Sequence, residues 1–124
     1  MNIAGPTYNE HAAAFAAQGW QVVGSGAADL AVIVHPNNPD GRKWAARDDA
    51  APLIVDESFC DVTPDATHVA QSATHDRVIL KSFGKFWGLA GLRLGFSVCR
   101  PAAAAHLRDQ LGPWAVSGPA LEIG

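Results

Sequence analysis

Three short and almost uninterrupted apolar runs constrain this chain more than anything else in it: residues 30–35 (LAVIVH), 53–57 (LIVDE) and 77–82 (RVILKS). A strand with one wet face alternates apolar and polar residues. A run that is apolar throughout needs cover on both faces, as parallel strands in α/β folds have. Helix-compatible stretches lie between and around the runs. Residues 10–18 are Ala-rich and end at Gly19, and residues 101–110 begin with a proline suited to a first helical turn. Residues 21–23 predict a further short strand and residues 95–99 another. The pattern predicts an α/β domain with a mostly parallel sheet and flanking helices.

Composition narrows the functional classes. The 124 residues suffice for one modest domain, and 48% hydrophobic with 17% charged residues excludes a disordered tail. A net charge of −3 gives no electrostatic case for nucleic acid or an anionic membrane surface. No apolar run approaches the roughly 20 residues that span a bilayer. The first residues (MNIAGPTYNEH) have no basic segment followed by an apolar core, so they do not read as a signal peptide. Cys60 and Cys99 are too few for a disulfide framework or a zinc site, and read as reduced thiols. The expectation is a soluble cytoplasmic protein.

Each apolar run ends in polar residues: His35-Pro36-Asn37-Asn38-Pro39-Asp40-Gly41, Asp56-Glu57-Ser58-Phe59, and Ser82-Phe83-Gly84-Lys85. In an open α/β sheet, ligands bind beyond the carboxyl ends of the strands. Polar groups converging there from three strands are what a small-molecule site requires.

The third end opens the most informative segment, KSFGKFWGLAGLRLGF, residues 81–96. A lysine in a Gly-rich apolar turn is costly to keep charged, because desolvation favours the neutral amine. A neutral amine condenses with carbonyls. Taken alone, Lys85 would be a solvated surface residue. Ser82 before it and Arg93 after it add a hydroxyl and a fork-shaped cation that together suit a phosphate. Phe86, Trp87, Leu89 and Leu92 supply apolar filling. A carbonyl-condensing lysine beside a phosphate anchor points to pyridoxal 5'-phosphate.

The remaining candidates gain meaning from that one. Asp56 is either a turn former or the carboxylate paired with a protonated pyridine nitrogen, which keeps the ring an electron sink. Glu57 points to the opposite side of its strand and reads as structural. Asn38 sits in a sequence that forms a turn by composition alone. Its functional reading is an amide hydrogen-bonded to the cofactor's ring hydroxyl. Tyr8 either packs on the helix that follows it or faces substrate. The five histidines show no metal-ligand spacing, and His35 reads as a satisfied structural residue.

The motifs N-N-P-D-G, V-D-E-S-F and S-F-G-K-F-W-G-L-A-G-L-R-L-G-F resemble the fold-type I, pyridoxal-phosphate-dependent aminotransferases of class I/II. The wording around Lys85, with LGPWAVSGPA at residues 111–120, is most similar to the threonine-phosphate decarboxylase-like branch of cobalamin biosynthesis, related to the histidinol-phosphate aminotransferases. The resemblance implies part of a large three-layer α/β/α domain over residues 1–124, truncated at both ends and without the small domain. It implies that Lys85 attaches the cofactor and then serves as acid and base at the substrate Cα. It implies Asp56 on the pyridine nitrogen, Asn38 on the ring hydroxyl, and Ser82 and Arg93 on the phosphate. Phe59 stands where many relatives have a tyrosine. The residue that stacks on the ring, and the Gly/Ser-rich phosphate loop, are expected upstream of this chain.

The reaction implied is decarboxylation of L-threonine O-3-phosphate to an aminopropanol phosphate. The alternatives are an aminotransferase of the histidinol-phosphate type and a non-catalytic truncated remnant. Implied partners are a phosphorylated amino acid and, for the full-length family, a second identical subunit. One internal departure stands out. A parallel crossover needs about a dozen residues or more, and residues 42–52 barely provide them. Part of a crossover helix reads as deleted, which would uncover one face of the sheet.

Overall fold

The computed structural model describes residues 1–45 and 51–124. Four strands, β1 (Asn2–Ile3), β2 (Ala31–Val34), β3 (Leu53–Asp56) and β4 (Arg77–Ser82), run parallel and lie side by side in chain order. A fifth, β5 (Gly95–Val98), returns antiparallel on β4. The mostly parallel sheet expected from the apolar runs is therefore present. One expectation changes. Of residues 21–23, only Val23 pairs, through a single bridge to Asn2. The strand at that edge is instead β1, too short to leave a periodic signal.

Register fixes what each face presents. Val32, Ile54 and Val78 are opposite one another, as are Ile33, Val55 and Ile79 on the reverse side. The first set faces helices. Helix α1 (Glu10–Ala17) packs Ala12 and Phe15 against Met1, Ile3 and Val32. Gly19, at φ 84°, follows in the left-handed region that glycine tolerates best. Helix α2 (Pro101–Leu111) sets Ala103 and Leu107 beside Val78 and Leu80, leaving an apolar cavity of about 350 Å³ between the two helices. A last helix, α3 (Gly118–Ile123), ends the chain.

The reverse face holds the drier core. Leu53, Val55 and Ile79 are buried there with Ile33, and Trp44, Val69 and Val98 pack against them. Burying each such side chain contributes roughly 1.5–3 kcal/mol. The covering layer among the described residues is not a helix but a series of 3₁₀ turns, Cys60–Val62, Pro64–Ala66 and Val69–Ala73. Glu57 pins this layer from the end of β3. Its fully buried carboxylate accepts hydrogen bonds from the His68 amide (2.5 Å) and Thr67 Oγ1 (2.7 Å), and Lys81 Nζ lies 3.5 Å away. That is the structural role expected for a side chain opposite Asp56.

The shortened connection between β2 and β3 shows no helix among its described residues. Residues 46–50, on which that expectation partly falls, lie outside the described residues. Trp44 covers the face there, with its indole Nε1 donating to the Val34 carbonyl at 3.1 Å. Cys60 is buried and Cys99 half-buried, both as free thiols. Among the described residues no helix is long and apolar enough to cross a membrane.

Candidate active site

The carboxyl ends of β2, β3 and β4 meet as the apolar runs implied. A cleft of about 90 Å³ there is lined by Tyr8, Val34, Asn38, Asp56, Ser58, Phe59 and Lys85. Four of the six residues singled out from the sequence, Tyr8, Asn38, Asp56 and Lys85, therefore share one small space.

Asp56 is its electrostatic centre. The residue is 7% exposed, and its two oxygens are held from different directions. Oδ1 accepts from the Ser58 amide (2.9 Å) and hydroxyl (2.6 Å), and Oδ2 accepts from His11 Nε2 at 2.7 Å. Burial alone would raise the carboxyl's pKa, but the hydrogen bonds from His11 and Ser58 outweigh it and hold the group below the usual carboxylate range. Asp56 is thus an anion at neutral pH. Oδ1 already accepts two hydrogen bonds, and Oδ2, which accepts one, retains a lone pair for a further donor.

His11 is the residue that sequence reasoning missed. Metal spacing was the wrong test, since its partner is a single carboxylate. The usable signal was its place in the first turn of the helix that follows Tyr8. Their rings meet edge to face with centroids 5.5 Å apart. Tyr8, read from the sequence as packing on the helix or facing substrate, lines the cleft beside Asp56 and Lys85.

Asn37 and Asn38 divide the work of their turn. Asn37 is 3% exposed, donates to the Pro6 carbonyl (3.0 Å) and Asp40 Oδ1 (2.8 Å), and accepts from Thr7 Oγ1 (2.6 Å). It thereby ties the loop bearing Tyr8 to the turn bearing Asn38. Asn38 itself is exposed at the cleft.

Lys85 departs from its expected setting. It is exposed rather than desolvated, and Phe86 and Trp87, read as apolar filling, are 52% and 56% exposed. Lys85 Nζ lies 5.5 Å from the centroid of Phe59, over its ring. Position rather than burial marks this lysine.

Ser82 and Arg93 do not line the cleft. Ser82 Oγ accepts from the Gly84 amide (3.1 Å), and Arg93, left-handed at φ 51°, donates from Nη1 to the Ala90 carbonyl (3.1 Å). The two are nonetheless joined. A Cβ on Gly84 would stand 3.3 Å from Ala90 Cα, so only glycine lets the Ser82 turn close onto the Arg93 turn without displacement.

A carboxylate fixed as an anion, a primary amine and a side-chain amide around one cleft is a donor set that fits pyridoxal phosphate. Asp56 would hold the pyridine nitrogen, Asn38 the ring oxygen and Lys85 the aldehyde carbon.

The family profile described as Aminotransferase class I and II matches residues 25–123. The chain belongs to that family. It is 44% identical to a threonine-phosphate decarboxylase of Sinorhizobium sp, over 98% of this chain and 42% of that protein. Among solved structures, L-threonine-O-3-phosphate decarboxylase from Porphyromonas gingivalis superposes with a TM-score of 0.82 at 23% identity, over 98% of this chain and 44% of that one. Histidinol-phosphate aminotransferase from Sinorhizobium meliloti in complex with pyridoxal-5'-phosphate gives 0.73 at 20% identity, over 93% and 40%. The chain thus spans less than half the length of these relatives. The Sinorhizobium sp alignment runs over 139 positions for a chain of 124 residues, so that relative has residues where this chain has none.

Proposed function

We propose that this chain forms part of a pyridoxal-phosphate-dependent lyase that decarboxylates L-threonine O-3-phosphate to an aminopropanol phosphate, in the cytoplasm and for cobalamin biosynthesis. The observation behind the reading is the cleft that joins the Lys85 amine to the His11-held Asp56 carboxylate. The 44% identity to a threonine-phosphate decarboxylase supports the choice of substrate.

When bound, the cofactor supplies an electron sink for the bond broken at the substrate Cα. The chain supplies the rest. Asp56, kept anionic by His11 and Ser58, holds a proton on the pyridine nitrogen by charge. Asn38 donates from its amide to the ring oxygen. Phe59 offers a ring face without a hydroxyl, so Asn38 is the side-chain donor there. Tyr8 closes the cleft from the α1 side. Lys85 would hold the cofactor through Nζ and, once freed by the substrate amine, would carry the proton returned to the substrate Cα. Ser82 and Arg93, which lie outside the cleft lining, would hold the phosphate beyond it. The partners proposed are a phosphorylated amino acid and a second copy of the subunit.

The test is an absorbance spectrum of purified chain with pyridoxal phosphate, then borohydride reduction and peptide mapping, then incubation with L-threonine O-3-phosphate. A pyridoxyl group trapped on Lys85, with release of CO₂, supports the reading. Trapping on Lys85 with amino transfer from histidinol phosphate replaces it with the aminotransferase. No trapping on Lys85 leaves the chain a non-catalytic remnant.

A further inference from the structure

Trp44 is held at both ends of its backbone by histidines on the face away from the cleft. Its amide donates to His35 Nδ1 at 3.0 Å, and its carbonyl accepts from His68 Nε2 at 3.2 Å. His35 Nε2 in turn donates to the Ala66 carbonyl at 2.9 Å. The two rings meet edge to face with centroids 4.4 Å apart, and are 1% and 5% exposed. The indole between them packs on the core of Ile33, Leu53, Val55 and Ile79, where a crossover helix was expected.

These bonds fix the protonation of His35. Nδ1 receives a hydrogen from Trp44 and so has none, and Nε2 donates and so has one. The ring is neutral. A second proton at Nδ1 would set one N–H against another and place a charge beside His68, whose own Nδ1 is buried without a partner. Burial first, then His68, lowers the pKa of His35 from 6.5. The bond to the Ala66 carbonyl and, less, the Glu57 carboxylate oppose them, and Lys43, in the held segment, adds to the lowering.

We propose that His35 and His68 form an acid-released clamp: the neutral pair holds Trp44 on the sheet, and protonation of His35 Nδ1 lets it go. His35 directly follows β2 and precedes Asn37 and Asn38 by two and three residues. Release therefore also loosens the turn that brings Asn38 to the cleft. The clamp is complete above the ordinary histidine pKa and is lost as pH falls through the lowered one.

Long-range ¹H–¹⁵N correlation spectra of the labelled chain, titrated from neutral pH to about pH 5, read every part of this. The expected result is a neutral His35 in the Nε2–H form that titrates below 6.5. The Trp44 indole signal, assigned through Trp44→Phe, should move in the same step to the shift of an indole bonded to water, as its bond to the Val34 carbonyl breaks. In His35→Asn the side-chain oxygen still accepts from Trp44 but takes no proton, and the indole shift should hold to the end of the titration. An Nδ1–H tautomer, or a His35 midpoint at or above 6.5, overturns the proposal, including in a chain without fixed structure. The same indole shift change at the same pH in His35→Asn does so too. The tautomer and midpoint of the unsubstituted chain decide the matter even should the variant not fold.

Discussion

His11 Nε2 stands 2.7 Å from Asp56 Oδ2, a bond that joins α1 to the end of β3 across 45 residues of sequence. Part of what keeps the cleft's carboxylate anionic therefore lies outside the cleft lining, in His11, while Ser58 acts from within that lining.

Replacing His11 by Phe should therefore raise the Asp56 pKa and destabilise the fold. A buried carboxylate would lose one of its donors, at a cost of about 1–3 kcal/mol. Chemical denaturation at neutral pH gives the energy, and a carboxyl-carbon NMR titration gives the pKa. The sign follows from the depressed folded-state value. Asp56 contributes stability that is present above the unfolded carboxylate range and lost as pH falls through its folded pKa, and the variant should show less of that acid dependence.

Pyridoxal phosphate and borohydride should label Lys85 and spare Lys81, although the two are four residues apart. Burial would lower the Lys81 pKa, but Asp61 at 3.0 Å and Glu57 at 3.5 Å outweigh it and raise it, so Lys81 stays an ammonium. Only the free amine condenses. Peptide mapping checks the ratio, and Lys85→Ala should abolish the specific label without transferring it to Lys81.

Glu57→Ala should be among the most damaging single changes. It removes the carboxylate that holds the 3₁₀ layer and leaves the His68 amide and the Thr67 hydroxyl without their acceptor, at about 1–3 kcal/mol for each group left unsatisfied, while Lys81 keeps Asp61. Thermal unfolding measures it. Glu57→Gln should recover part of the loss, since an amide oxygen can still accept from the His68 amide.

Asn37→Ala should separate positioning from contact. The side chain does not line the cleft, yet it fastens the Pro6–Thr7 loop to the turn before Asn38. Loss of those bonds should weaken pyridoxal phosphate binding by about tenfold, equivalent to one hydrogen bond of about 1.4 kcal/mol. Equilibrium titration by absorbance checks this, with Asn37→Asp restoring only the bond from Thr7.

Much of the sheet was legible because β2 and β3 are largely buried on both faces and β4 on one, so their apolar runs are nearly uninterrupted. β1 was not, since two residues make no pattern. The 3₁₀ layer was not either: its cohesion comes from Glu57 and backbone amides rather than from a periodic apolar face. In the cleft, Asp56, Asn38 and Lys85 were legible because each ends a recognisable strand. His11 was hidden because its meaning depends on where α1 lies against the sheet. The exposure of Lys85 was misjudged for a related reason: neighbouring aromatic residues say nothing about whether they fold over it.

The strict chain-order arrangement of the five strands has a consequence for how the molecule is made. Every strand that leaves the ribosome finds its neighbour already synthesised, and none must wait for a later segment to be inserted between earlier ones. Assembly can thus proceed as a zipper in the direction of translation, with short loop closures at each step. The cleft, drawn from the loop before α1, the ends of β2 and β3 with the segments that follow them, and the loop after β4, would then be complete only once that last loop, with Lys85, has emerged.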